Sequence, residues 1–208
     1  EAAVVSSLNE TGIAIAHISD FFPGDTFAEL ANYAQSRWEE SEVQSVVEAR
    51  RRLFAAGKPK LRKSFLVDLW ARPPGAAGHP LLELTHPFLR FSLSQPILAV
   101  VNAYLGMFSK FRLWHLEATL PLPANVPAST SQRWHRDYED RKLVKVFLYL
   151  NDVDESAGPF TYLKRSHAGG AWRGLFPMRP PRGTLPMPAN VDELIPGADV
   201  VRCTGRAG

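Results

Sequence analysis

Leu143-Val144-Lys145-Val146-Phe147-Leu148-Tyr149-Leu150 is the clearest strand pattern in the sequence, rich in β-branched and aromatic residues. In an extended chain, alternate residues share a face. Lys145, Phe147 and Tyr149 therefore lie on one side, and Val144, Val146, Leu148 and Leu150 on the other. The aliphatic side is made to pack on helices or on an opposing sheet. The other side carries a cation and a phenol, and two readings of Lys145 stand. A partly buried lysine needs an anionic partner, for which the carboxylate of a bound cosubstrate qualifies. An exposed lysine on an edge strand discourages aggregation.

Around this stretch the texture is that of a sheet. Phe111 to Leu120 is aromatic-rich and extended, and Pro121 to Ser131 is a polar, Pro-containing loop. Phe160 to Leu163 reads as a short strand, and Val200-Val201 as the start of another. The first half reads differently. Phe27, Leu30, Ala31, Ala34 and Trp38 recur at helical spacing, and a second helix runs from Ser41 to about Phe54. Residues 80 to 106 read as two helices split near Gln95-Pro96, the second capped by Gly106. Gly12 to Ile18 and Ser64 to Trp70 read as strands. Helices first and antiparallel strands afterwards predict an α+β domain. Residues 1–109 form a mainly helical support and 110–208 the β core of that single domain.

The chain has 208 residues and is 45% hydrophobic, enough for one domain with a real core. Net charge is +3, but the basic residues around Arg50-Arg51-Arg52, Lys58, Lys60, Arg62 and Lys63 form no long block, and no nucleic-acid partner is expected. Cys203 is the sole cysteine, which excludes an internal disulfide and a cysteine-built zinc site and favours a cytoplasmic setting. The apolar run from Ile97 to Met107 falls short of the roughly 20 residues that span a bilayer. No membrane partner is expected.

The chemistry centres on Gln132-Arg133-Trp134-His135-Arg136-Asp137. His135 and Asp137, two apart, point an imidazole nitrogen and a carboxylate oxygen the same way. One such pair plus a second histidine from elsewhere makes the facial triad of a non-haem Fe(II) oxygenase. Taken alone, the His-x-Asp reads sooner as a surface turn with an accidental pair. Its place between a flexible loop and the strongest strand is where a pocket can open.

The order of pieces from Gln132 to His167 resembles the phytanoyl-CoA dioxygenase family of 2-oxoglutarate oxygenases. The matching pieces are Trp134-His135-Arg136-Asp137, the strand ending Tyr149-Leu150-Asn151-Asp152-Val153-Asp154, then Gly158-Pro159, then Ser166-His167. The resemblance implies a double-stranded β-helix, a jelly-roll or cupin-like barrel, with the N-terminal helices packed on one sheet. It implies His135 and Asp137 as Fe(II) ligands and 2-oxoglutarate as cosubstrate. Lys145, Thr161 and Gln132 are the candidate cosubstrate-binding residues, and Trp134 lines the site or packs in the core. The partners expected are O2 and a small-molecule substrate that the sequence does not specify. In that family the distal His and the Arg that anchors 2-oxoglutarate lie on a late strand. Thr204 to Gly208 reads as the approach to it, so both are expected beyond the chain, which reads as incomplete at its C-terminal end.

His167 is expected to support a loop rather than ligate, and His115 to share a face with Leu113 and Glu117. His17, His79 and His86 read as ordinary. Arg173, Arg179 and Arg182 read as a solvated loop, with a cover for a pocket mouth as the alternative. Two other functions stay open: a β-barrel binding protein without turnover, and a cupin-like metalloenzyme that does not use 2-oxoglutarate. A carboxylate at Asp137 favours hydroxylation over halogenation, because related halogenases have a small residue there.

Overall fold

The computed structural model describes residues 1–56, 65–69, 83–121, 132–137, 142–175 and 191–208. Within them the chain is α+β, with helices grouped in the first half and two small antiparallel sheets. The described residues do not close a barrel.

Three helices open the chain: α1 (Ala2–Thr11), α2 (Asp25–Trp38) and α3 (Ser41–Ala55). Leu30 and Ala34 on α2, and Val43, Val47 and Phe54 on α3, are buried at the spacing of one helical stripe. Both helices match the periodicity of their sequence. The expected strand over Gly12 to Ile18 does not form. Gly12 takes the left-handed conformation that ends α1, with φ of 82°, and its amide bonds the Leu8 carbonyl. The residues that follow lead into a 3-10 turn, Ile18–Asp20, capped by His17.

Strand β1 (Leu66–Asp68) pairs antiparallel with β2 (Glu117–Thr119), setting Val67 opposite Ala118. Both are shorter than the extended stretches expected around them; Ser64 and Trp70 lie outside the described residues. Between the two strands come α4 (Pro87–Ser92) and α5 (Gln95–Leu105). Pro87 and Pro96 occupy first-turn positions, where a missing N–H costs no hydrogen bond. Gly106, with φ of 71°, caps α5 as its position predicts. Leu30, Val47, Val67 and Leu89 are the fully buried centre of the main core, with Trp114, Leu116 and Leu120 around them. Each such aliphatic side chain contributes about 1.5–3 kcal/mol by burial.

The stretch from Leu143 to Leu150 departs from expectation. Its aliphatic side does meet the main core through Leu148 and Leu150, but among the described residues it joins no ladder, and Val146 and Phe147 are exposed. A strand needs a hydrogen-bonded neighbour, and only its end has one here. Gly208 N–H donates to the Tyr149 carbonyl at 2.8 Å, and Val153 bridges Gly205. Beside it, β3 (Thr161–Leu163) pairs antiparallel with β4 (Val200–Arg202), so the short strands expected there are present. Leu163 and Ile195 are buried in a second, smaller core with Trp134, Trp172, Leu175 and Val200 packed against them. A short helix, α6 (Val191–Leu194), and a 3-10 turn, Gly197–Asp199, lead into β4.

Candidate metal centre

His135 and Asp137 do share a face. His135 Nε2 lies 3.5 Å from Asp137 Oδ1, and the two side chains are 37% and 32% exposed, so the pair is open to solvent without being loose in it. The other ring nitrogen, Nδ1, carries a proton that it donates to the Arg133 carbonyl at 2.7 Å. That bond fixes the ring and leaves Nε2 as the nitrogen turned toward Asp137. Two donors at right angles, each about 2.1 Å from one ion, stand about 3 Å apart. The observed spacing is close to that, and the donor types suit Fe(II).

The third member of the group is Lys145, whose Nζ lies 2.6 Å from Asp137 Oδ2. Lys145 is exposed, and its anionic partner here is a residue of the chain. The hydrogen bond from His135, with Lys145 beside it, outweighs the opposing effect of burial and brings the Asp137 carboxyl down to about 2. The same bond to Asp137 raises the His135 pKa above its ordinary value, against desolvation. Metal-free, the group is thus a carboxylate held between an imidazole and an ammonium group.

The remaining candidates are Thr161, Gln132 and Trp134. Thr161 donates its hydroxyl to the Pro159 carbonyl at 3.2 Å, and alternation sets it across β3 from Phe160 and Tyr162. Gln132 is exposed, two residues before Trp134. Trp134 belongs to the second core and borders a cavity of about 540 Å³ together with Glu155, Ile195, Gly197, Val200 and Arg202. By alternation that cavity lies on the other side of the stretch from His135 and Asp137.

His167 meets α1 rather than a loop: its Nε2 is 3.1 Å from the Asn9 carbonyl in the last turn of that helix. Its Nδ1 is buried with no hydrogen-bond partner among the described residues. His115 faces Glu117 at 4.0 Å. His17 caps a turn and His86 caps α4. Arg173 is exposed, whereas His79, Arg179 and Arg182 lie outside the described residues. Among the described residues no three His, Cys, Asp or Glu side chains converge as a metal would require.

Arg136 drew no attention in the sequence. It reaches across the chain to donate to the Ser166 carbonyl at 2.5 Å. The only signal was its place between two candidate ligands. No protein-family model, curated protein or solved structure matches the chain. What the site can do therefore follows from its donors and their geometry.

Proposed function

We propose that this chain is the iron-binding part of a non-haem Fe(II), 2-oxoglutarate-dependent dioxygenase that hydroxylates a small molecule. One observation carries the reading. An imidazole nitrogen and a carboxylate oxygen, two residues apart, meet at 3.5 Å, and a backbone carbonyl orients the imidazole from behind. The antiparallel β3–β4 pair and the Val153–Gly205 bridge are compatible with the β-helix of the family that the sequence resembles. The single cysteine is compatible with a cytoplasmic setting, and among the described residues no helix is long and apolar enough to cross a membrane.

His135 and Asp137 would hold Fe(II). The bound metal, with 2-oxoglutarate and O2, supplies oxidative decarboxylation to succinate and CO2 and insertion of oxygen into a C–H bond. The chain's own part is narrower. The Arg133 carbonyl orients the imidazole, and Lys145 holds the Asp137 carboxylate by its outer oxygen and leaves the inner one facing His135. Lys145, already at the site, would be the candidate cation for a cosubstrate carboxylate.

A second reading has its own observation. Lys145 already neutralises Asp137 at 2.6 Å, as a binding protein without turnover would need. One experiment separates the readings. The protein is loaded anaerobically with Fe(II), and 2-oxoglutarate is added while the visible spectrum is recorded. A weak charge-transfer band near about 500 nm, lost in His135→Ala and Asp137→Ala, supports the oxygenase. Iron binding without the band favours a cupin-like enzyme that does not use 2-oxoglutarate. No iron binding favours the binding protein.

A further inference from the structure

We propose that Arg136 is a positioning residue for the His135–Asp137 pair, a role that rests on the metal-site reading and extends it. The residue between two ligands on an extended stretch faces away from the metal. Arg136 uses that position to reach the Ser166 carbonyl, thirty residues further along the chain. The tether matters only if its far end is fixed, and it is.

The turn that holds Ser166 is tied from several directions. Arg165 N–H donates to the Thr11 carbonyl at 2.7 Å, at the C-terminal end of α1. The Arg165 guanidinium meets both oxygens of Asp199, at 2.8 and 2.6 Å. Trp172 Nε1–H donates to the same carboxylate at 2.8 Å, and Trp172 N–H donates to the Arg165 carbonyl at 2.9 Å. Lys164 N–H bonds the Asp199 carbonyl at 2.8 Å. Asp199 is 9% exposed, the one charged residue among the described residues that is buried. Arg136 therefore ties the ligand stretch to a cross-linked turn. Within the stretch, Trp134 packs against the second core.

A donor that orients ligands from behind typically sets metal affinity by about tenfold or more. The test uses the whole protein as wild type, Arg136→Met and Arg136→Lys. Methionine fills similar space without a donor, whereas lysine keeps one. Amide hydrogen exchange is measured on the metal-free proteins, and Co(II) affinity by absorbance titration. The expected result is faster exchange confined to 133–137 in Arg136→Met, a Co(II) Kd weakened about tenfold, and recovery of most of both in Arg136→Lys. Equal Co(II) binding by wild type and Arg136→Met overturns the inference. So does exchange that rises as much in α3 and β1 as at 133–137, since the arginine would then stabilise the fold at large. A wild type that binds no Co(II) removes the metal reading itself and the positioning role with it, a result distinct from equal binding.

Discussion

Arg165 and Asp199 form a two-pronged ion pair, with one guanidinium nitrogen 2.8 and 2.6 Å from the two carboxylate oxygens. Arg165 is also the one described non-glycine residue with positive φ, at 62°. The pair, with the backbone bonds on either side, holds a conformation that an L-residue disfavours. Asp199→Asn keeps the shape and removes the charge. Its melting temperature should fall by several degrees in circular dichroism. The Trp172 and Arg165 hydrogen bonds keep the Asp199 pKa below its ordinary value. Its contribution is therefore in place above the usual carboxylate range and is lost as pH falls through the lowered value. The difference between wild type and variant should close in acid. Equal melting at neutral pH would show that the pair adds nothing.

Gly12 and Gly106 both adopt positive φ at helix ends, yet they should respond unequally to alanine. At Gly106 a Cβ meets nothing within 4 Å, so only the left-handed backbone is penalised, by about 1–2 kcal/mol. At Gly12 the Cβ would fall 2.4 Å from Tyr162 Oη and 2.9 Å from His167 Nδ1. Gly12→Ala should cost clearly more than Gly106→Ala in urea unfolding. Similar losses would mean that the aromatic pair moves aside freely.

His86 supplies the acid sensitivity of the helical half. Its Nδ1 accepts from Phe88 N–H at 3.3 Å, its Nε2 lies 2.9 Å from Tyr33 Oη, and its ring packs 4.4 Å from Trp114. Burial, which outweighs Glu83, lowers its pKa below the ordinary value. The folded state thus prefers the neutral ring. Stability is fully present above the unfolded pKa of about 6.5 and declines as pH drops toward the folded value. His86→Asn keeps a capping side chain that does not titrate. Thermal melts from pH 8 to 5 should show a slope in wild type that is flatter in the variant; parallel slopes would assign the sensitivity elsewhere.

Leu89 is 1% exposed in the main core. Leu89→Ala should lower unfolding free energy by about 2–5 kcal/mol, read from urea titration at constant m-value. A loss well below 1 kcal/mol would mean that α4 collapses onto the vacancy.

The helices were legible where a periodic stripe coincided with a stop signal. Leu30 and Ala34, Val43 and Val47, and the cap at Gly106 are all local features, and local physics decides them. Gly12 was misread because glycine opens a strand and closes a helix with the same letter. Only α1, packed against α5, settles which. Leu143 to Leu150 has strand chemistry but lacks a ladder among the described residues, because pairing is a property of two segments and composition describes one. At the site, His135 with Asp137 followed from two-residue alternation alone. That Lys145 meets Asp137, and that Arg136 meets Ser166, required the chain to fold back on itself, and no local pattern encodes that.

The bonds at Gly208 also bear on when the molecule can finish folding. Its carbonyl accepts from Ile18 N–H at 2.6 Å while its amide reaches Tyr149. Closing so long a loop, from Ile18 to Gly208, is entropically costly and belongs late in folding. During synthesis α2 and α3 can pair as soon as they emerge, but this closure must wait until Gly208 has left the ribosome. Until then the Tyr149 carbonyl has no partner from Gly208, and the apolar stretch before it stays within reach of neighbouring nascent chains. Slowed elongation or a scarce chaperone should therefore reduce soluble yield more than the finished protein's stability would suggest.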